Sequence, residues 1–275
     1  MPETDVKALP SPEEDLALLL DAAQEAGRIA LSYFGKEPQV WIKEGNSPVS
    51  EADYAADRYL REVLLQARPN YGWLSEETTD DLERLAAPRT FVVDPIDGTR
   101  AFIAGNPVWC VSVAVVEEGR SLAGVLDCPA SREVYRACRG GGSFLGNRQL
   151  KVEAASSQPV IAGPKPLLEM IDADLQKTMR HVNYVPSLAY RLAMIADGRI
   201  DASFIKTNSH DWDLAAAALI LEEAGGILLD AEGNAPHFAT KKIRHGELVA
   251  GSGVLLKKLF PVIAGSNSAA ENIPV

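Results

Sequence analysis

The chain has 275 residues, 47% of them apolar and 24% charged, and a formal net charge of −11. That size predicts one large domain or two intimately packed ones, with the composition of an ordinary soluble globular protein. The acidic balance excludes a general binder of nucleic acid or of anionic membrane, because phosphate surfaces demand basic patches, and it suits a solvated enzyme that collects cations.

The acidic start "MPETDVKALPSPEEDLALLLDAA" does not read as a signal peptide. No apolar run approaches the ~20 residues a membrane helix needs, so a cytoplasmic location without a membrane partner is expected. Leu16, Leu19, Ala23, Ala26, Ala30 and Phe34 recur at helical spacing and predict a first helix over 14–34. A Gly/Asn/Pro loop follows, then a second helix with Ser50 as N-cap that ends before Pro69. "GWLS" is strand-like and "RTFVVD" a short buried strand. Residues 109–116 and 121–128 form a hairpin across "EEGR", and "EVYRACRGGGSFLGNRQLKV" continues the meander. The stretch 155–180 reads as a loop plus one helix. "SLAYRLAMIADG" is a short helix, "IDASFI" a strand, "DWDLAAAALILEEAGG" a helix closed by Gly225, and "GILLDAEG" a strand. The tail "IAGSNSAAENIPV" is expected to fray. Cys110, Cys128 and Cys138 lack a C-x-x-C pair and read as reduced, buried small hydrophobes. Paired helices between meandering strands predict an α/β or α+β layered fold, not a simple Rossmann alternation. The division expected is an α+β part over 1–155 carrying the motifs and an α/β part over 156–275, together one structural unit.

The chemistry is expected around "VVDPIDGT", residues 92–99. Asp94 and Asp97 flank a turn that leads straight into Gly98 and Thr99. A strand end meeting a helix start offers free backbone N–H groups, and Gly98 permits close approach, which suits a phosphate oxygen. Two carboxylates there would repel phosphate unless cations stood between, and hard oxygen ligands point to Mg²⁺. Alone, Asp94 would be a helix cap and Asp97 a solvated turn residue. "GWLSEETTDD" adds Glu76 and Glu77. "SHDWDLAAAA" adds Asp213 in a first helical turn, with Asp211 as the expected N-cap. "SPVSEAD" adds Asp53, which a capping box with Ser50 would explain equally well.

"GWLSEE", "VVDPIDGT" and "WDLAAAALILEEAGG", in that order and supported by "SPVSEAD" and "RGGGSF", resemble the inositol monophosphatase family of Mg²⁺-dependent, lithium-sensitive phosphatases over about residues 14–253. The resemblance implies the αβαβα sandwich of sugar phosphatases and a homodimer. It implies two or three Mg²⁺ ions: Glu76, Asp94 and the carbonyl of Ile96 for the first, Asp94, Asp97 and Asp213 for the second, and a weaker third near Glu76. Thr99 paired with Asp53 would orient and deprotonate the attacking water, and the N–H groups of Gly98 and Thr99 would hold the phosphate of a small phosphorylated metabolite. The acids Asp53, Glu76, Asp94, Asp97 and Asp213 are expected to cluster with no basic residue among them.

Two other classes compete. Haloacid-dehalogenase-type phosphatases also carry a D…DGT signature, but with one residue between the aspartates, where "DPIDGT" has two. A catalytically inactive metal- or phosphate-binding protein on the same fold is the non-enzyme alternative. The fold does not set the substrate. Inositol phosphate leads by family weight, with histidinol phosphate, 3'-phosphoadenosine 5'-phosphate and fructose 1,6-bisphosphate as alternatives. "DPIDGTRAFIAGNPVW" is nearer the histidinol-phosphate branch than the "DGTTNF" of typical inositol enzymes. Where those enzymes carry a hydroxyl-accepting glutamate, seven residues before the aspartate, this chain has Lys206, expected either to face the substrate or to point into solvent.

Overall fold

Ser11 and Glu14 open the first helix by capping each other: the Ser11 hydroxyl accepts from the Glu14 N–H, and the Glu14 carboxylate accepts from the Ser11 N–H. The structure is a computed structural model that describes residues 9–265 apart from positions 44, 46 and 183. The first eight residues and the tail from 266 onward lie outside the described residues, and with them most of the segment expected to fray.

Helix α1 (Pro12–Leu31) starts earlier than its apolar spacing suggests, because Pro12 is already shaped for a first helical position. It also ends earlier, leaving Phe34 beyond the helix, its ring tilted against those of Phe102 and Trp109. The expected loop after it contains an antiparallel hairpin, β1 (Val40–Ile42) with β2 (Pro48–Ser50). Helix α2 (Glu51–Ala67) begins after Ser50 and stops short of Pro69, as expected. Strand β3 (Gly72–Ser75) lies parallel to β4 (Thr90–Asp97), which leads into the short α3 (Thr99–Ile103). β4 does not stop at Asp94. It runs through Pro95 because its register with the next strand shifts between Asp94 and Asp97, a bulge that spares the proline a ladder bond.

The hairpin of β5 (Cys110–Glu117) and β6 (Arg120–Cys128), then β7 (Glu133–Cys138), β8 (Gly142–Leu145) and β9 (Arg148–Gln149), complete a seven-stranded sheet in the order β3-β4-β5-β6-β7-β8-β9. Residues 155–180 hold more than a loop and one helix: β10 (Val160–Ala162), α4 (Lys165–Glu169), α5 (Ala173–Thr178) and the start of β11 (Arg180–His181). Helix α6 (Leu188–Ala196), β12 (Ala202–Ile205), α7 (Asp211–Glu223) and β13 (Ile227–Asp230) fall where their patterns place them. Strand β14 (Leu248–Gly251) and helix α8 (Gly253–Ala264) are additional. Pro261 hides α8 from a reading by propensity, yet Leu255, Leu256, Leu259, Phe260 and Ile263 bury one face of it.

The second sheet runs β11-β10-β12-β14-β13. Helices α1 and α2 pack on one face of the larger sheet. α6 and α7 fill the space between the two sheets, and α8 packs against β14. These are the α, β, α, β, α layers that the family resemblance implies. The middle contact is close: a Cβ on Gly124 of β6 would lie 3.0 Å from the backbone of Ala216 on α7. Cys110, Cys128 and Cys138 are free and buried, as expected. Among the described residues no helix is long and apolar enough to cross a membrane.

Candidate active site

The bulge in β4 delivers Asp94 and Asp97 to the end of the larger sheet, and the first turn of α7 brings Asp213 to meet them. One carboxylate oxygen from each lies within 4.8 Å of the others. Local bonds aim all three. Asp94 Oδ1 accepts from the Ile96 N–H at 3.0 Å, and Asp213 Oδ2 accepts from the His210 N–H at 2.8 Å. Asp97 is held from across the fold: its Oδ2 accepts from the Ser187 hydroxyl and from the Ala189 N–H, each at 2.6 Å, at the N-terminus of α6.

Asp53 contacts the partners of both its readings, one with each oxygen. Oδ2 accepts from the Ser50 N–H and hydroxyl at 2.8 and 2.6 Å, while Oδ1 lies 3.1 Å from Thr99 Oγ1. The same hydroxyl is 3.1 Å from the Ile96 carbonyl. Gly98 adopts φ +104°, and a Cβ there would crowd the Val108 carbonyl, Trp109 and Ser187, so only glycine fits beneath this turn.

Two placements differ from expectation. A basic residue does sit among the acids: Lys43 Nζ, from the turn after β1, lies 2.8 Å from Glu76 Oε1 and 2.9 Å from Glu77 Oε1. Glu76 stands outside the close triad, while Glu77 keeps its second oxygen buried without a partner among the described residues. Asp211 is not the cap of α7; His210 is. The Asp211 carboxylate is buried, accepting from the Ala239 N–H at 2.6 Å and pairing with His245 Nε2 at 2.7 Å. Lys206 is exposed and lines the cavity over the triad.

The electrostatics show a site short of positive charge. Burial, then Glu76, Asp97 and Asp213, push the Asp94 carboxyl well above its ordinary range. Burial and then Asp97 do the same to Asp213. Asp97 is raised to about 6 by burial, against the opposing bonds from Ser187 and α6. Asp53 also reaches about 6 through burial, with Glu76 adding to it, although its bonds to Ser50 and Thr99 pull the other way. Burial and the neighbouring Glu76 raise Glu77 to about 7. For Lys43, burial opposes the charged form, but Glu76 and Glu77 outweigh it and raise its pKa. A cluster of oxygen donors that cannot all ionise alone is chemically matched to a hard divalent cation.

A cavity of about 930 Å³ opens over these residues. Its lining includes Asp94, Asp97, Asp213 and Glu76 together with Val182, Val185, Leu188, Arg191, Ile205 and Lys206. That volume is at the upper end for small-molecule sites. Sequence reasoning did not find Lys43, Ser187 or Arg191 in this site; each comes from a distant segment with no motif around it.

The family model for the inositol monophosphatase family matches residues 11–268. The chain belongs to the inositol monophosphatase family. It is 36% identical over 260 residues to an inositol-1-monophosphatase of Rhizobium meliloti, covering 90% of this chain and 95% of the relative. It is 34% identical over 229 residues to a histidinol-phosphatase of Chlorobaculum parvum, covering 80% and 86%. The crystal structure of the extragenic suppressor protein suhB of Bartonella henselae superposes with a TM-score of 0.80 at 30% identity, over 91% of this chain and 98% of that one. Family members thus carry different names on one architecture.

Proposed function

We propose that the protein is a Mg²⁺-dependent phosphomonoesterase that hydrolyses a small phosphorylated metabolite by activating water. The observation that carries this reading is the triad of Asp94, Asp97 and Asp213, three mutually close carboxylate oxygens in a site whose burial disfavours their negative charge. Asp94, Asp97 and Asp213, with Glu76 and the Ile96 carbonyl, would hold two or three ions. Bound there, Mg²⁺ supplies neutralisation of the phosphate, a lowered pKa for the attacking water and stabilisation of the leaving oxygen.

The chain supplies the proton path. Thr99 Oγ1 accepts a proton from water as it passes its own to Asp53 Oδ1, 3.1 Å away. Burial raises Asp53, which makes it a stronger base than an exposed aspartate. Ser50 holds the other Asp53 oxygen and fixes the carboxylate's direction. The N–H groups of Gly98 and Thr99 receive the phosphate. Lys43 offsets Glu76 and Glu77 until the site is loaded.

The names of the relatives favour inositol 1-phosphate as substrate and histidinol phosphate second. On the same family grounds we read the enzyme as cytoplasmic, homodimeric and sensitive to lithium. Phosphate release tests the reaction. Protein stripped of divalent cations should be inert and regain turnover with Mg²⁺, and Asp94→Asn should abolish it. Activity that survives exhaustive chelation would overturn the reading.

A further inference from the structure

Arg191 lies on α6 and lines the cavity. A guanidinium carries five N–H donors, but among the described residues this one makes a single hydrogen bond, from Nη2 to the Phe204 carbonyl at 3.4 Å. Its Nε is buried with no partner among the described residues. Burial drives its pKa down, and Asp97 is the leading negative charge that opposes the shift. A cation left so poorly matched in a partly buried position is an anion receptor waiting for its ligand.

Its place in the fold says where that ligand would extend. Phe204, which Arg191 touches, belongs to the end of β12, two residues before Lys206. Lys206, like Arg191, lines the cavity that holds the acidic triad. Lys165 lines the same cavity but is already paired with Glu169 at 3.6 Å, so it is not counted. Val182, Val185, Leu188 and Ile205 give the cavity an apolar stretch of wall. A planar guanidinium matches a phosphate or carboxylate with paired bonds, and a lysine adds a point charge.

We infer that the preferred substrate is a phosphate ester bearing a second anionic group, held in the cavity by Arg191 with Lys206 as a further lining cation, while the scissile phosphate lies over Asp94, Asp97 and Asp213. This rests on the phosphatase reading above and replaces the substrate ranking taken there from the relatives' names. A neutral polyol monophosphate leaves the guanidinium unmatched, whereas a bisphosphate or a phospho-carboxylate satisfies it.

The test compares kcat/KM with Mg²⁺ for inositol 1-phosphate, fructose 1,6-bisphosphate, 3'-phosphoadenosine 5'-phosphate and 3-phosphoglycerate in the wild type, Arg191→Gln and Arg191→Lys. The wild type should favour the doubly anionic esters. Arg191→Gln should lower the ratio of doubly to singly anionic activity by about ten- to hundredfold, chiefly through KM, and Arg191→Lys should recover part of it. An equal loss on every ester would make Arg191 a counter-charge for Asp97 and overturn the inference, as would no loss. Should Arg191→Gln fail to fold, Lys206→Gln, at an exposed position, tests the same anion site, and an unchanged ratio there also overturns it. Calorimetric binding of fructose 1,6-bisphosphate separates the two readings. Binding by a wild type that hydrolyses none of the esters, lost in Arg191→Gln, would keep the anion site and discard the phosphatase.

Discussion

Asp53 divides its two oxygens between a helix cap and the hydroxyl of Thr99, so structural and chemical roles can be separated by mutating its partners. Thr99→Ala removes the proton relay and should lower kcat by roughly 10²–10⁴-fold with little change in melting temperature. Ser50→Ala should cost about 1 kcal/mol of stability through the weakened cap, measured by urea unfolding. If Thr99→Ala retained kcat, the relay would be wrong. The acids of this site were legible because each lies in a short run whose residue types make chemical sense together. Lys43, Ser187 and Arg191 were not. Their partners lie 33 residues away for Lys43 with Glu76 and 90 for Ser187 with Asp97, and only the folded chain pairs them.

Element packing introduces a second ionisable weakness, where α1 covers the larger sheet. Asp127 on β6 is buried, and its carboxylate fills the space a side chain at Gly27 of α1 would take. Burial alone raises its pKa from 3.8 to about 7. A carboxyl raised on folding is most compatible with the native state while protonated. Its penalty is absent below about pH 4, grows between 4 and 7, and is complete above. At most it amounts to roughly 4 kcal/mol. Urea unfolding between pH 4.5 and 8 should therefore show the wild type losing stability relative to Asp127→Asn as pH rises. Parallel profiles would remove Asp127 from the account. At this scale the alternation and capping signals placed most elements, and prolines misled. Pro95 suggested a strand end where a bulge lets β4 continue, and Pro261 concealed α8. The 155–180 region failed for another reason: its strands have two or three residues and its helices five or six, too short for periodicity to register.

For the molecule as a whole, α7 is the layer that couples the two sheets, and it brings Asp213 to aspartates rooted in β4. Gly124→Val would push β6 and α7 apart at Ala216. Overpacking of this kind costs about 1–3 kcal/mol, and because α7 moves with it, the Mg²⁺ concentration for half-maximal activity should rise as well. A variant destabilised but with unaltered Mg²⁺ dependence would show that α7 does not transmit the strain. Lithium tests the same three-carboxylate arrangement: millimolar Li⁺ should inhibit turnover, and resistance at ~100 mM would set this site apart from the lithium-sensitive branch. The layered architecture was legible from paired helices and meandering strands, whereas the closeness of the layers was not, since Gly124 means nothing until Ala216 faces it.

Helix α6 anchors Asp97 through Ser187 at its N-terminus and carries Arg191 one turn later. Residues four apart lie on one helix face with a rise of about 6 Å. The helix is thus a ruler with one mark near the phosphate and one near the far anion. Because both marks are fixed to one rigid body, a tilt of α6 carries them together and cannot stretch the interval. Ligands would be sorted by the spacing of their two charges as much as by their number, and among isomeric bisphosphates those with the wrong separation should behave as singly charged esters.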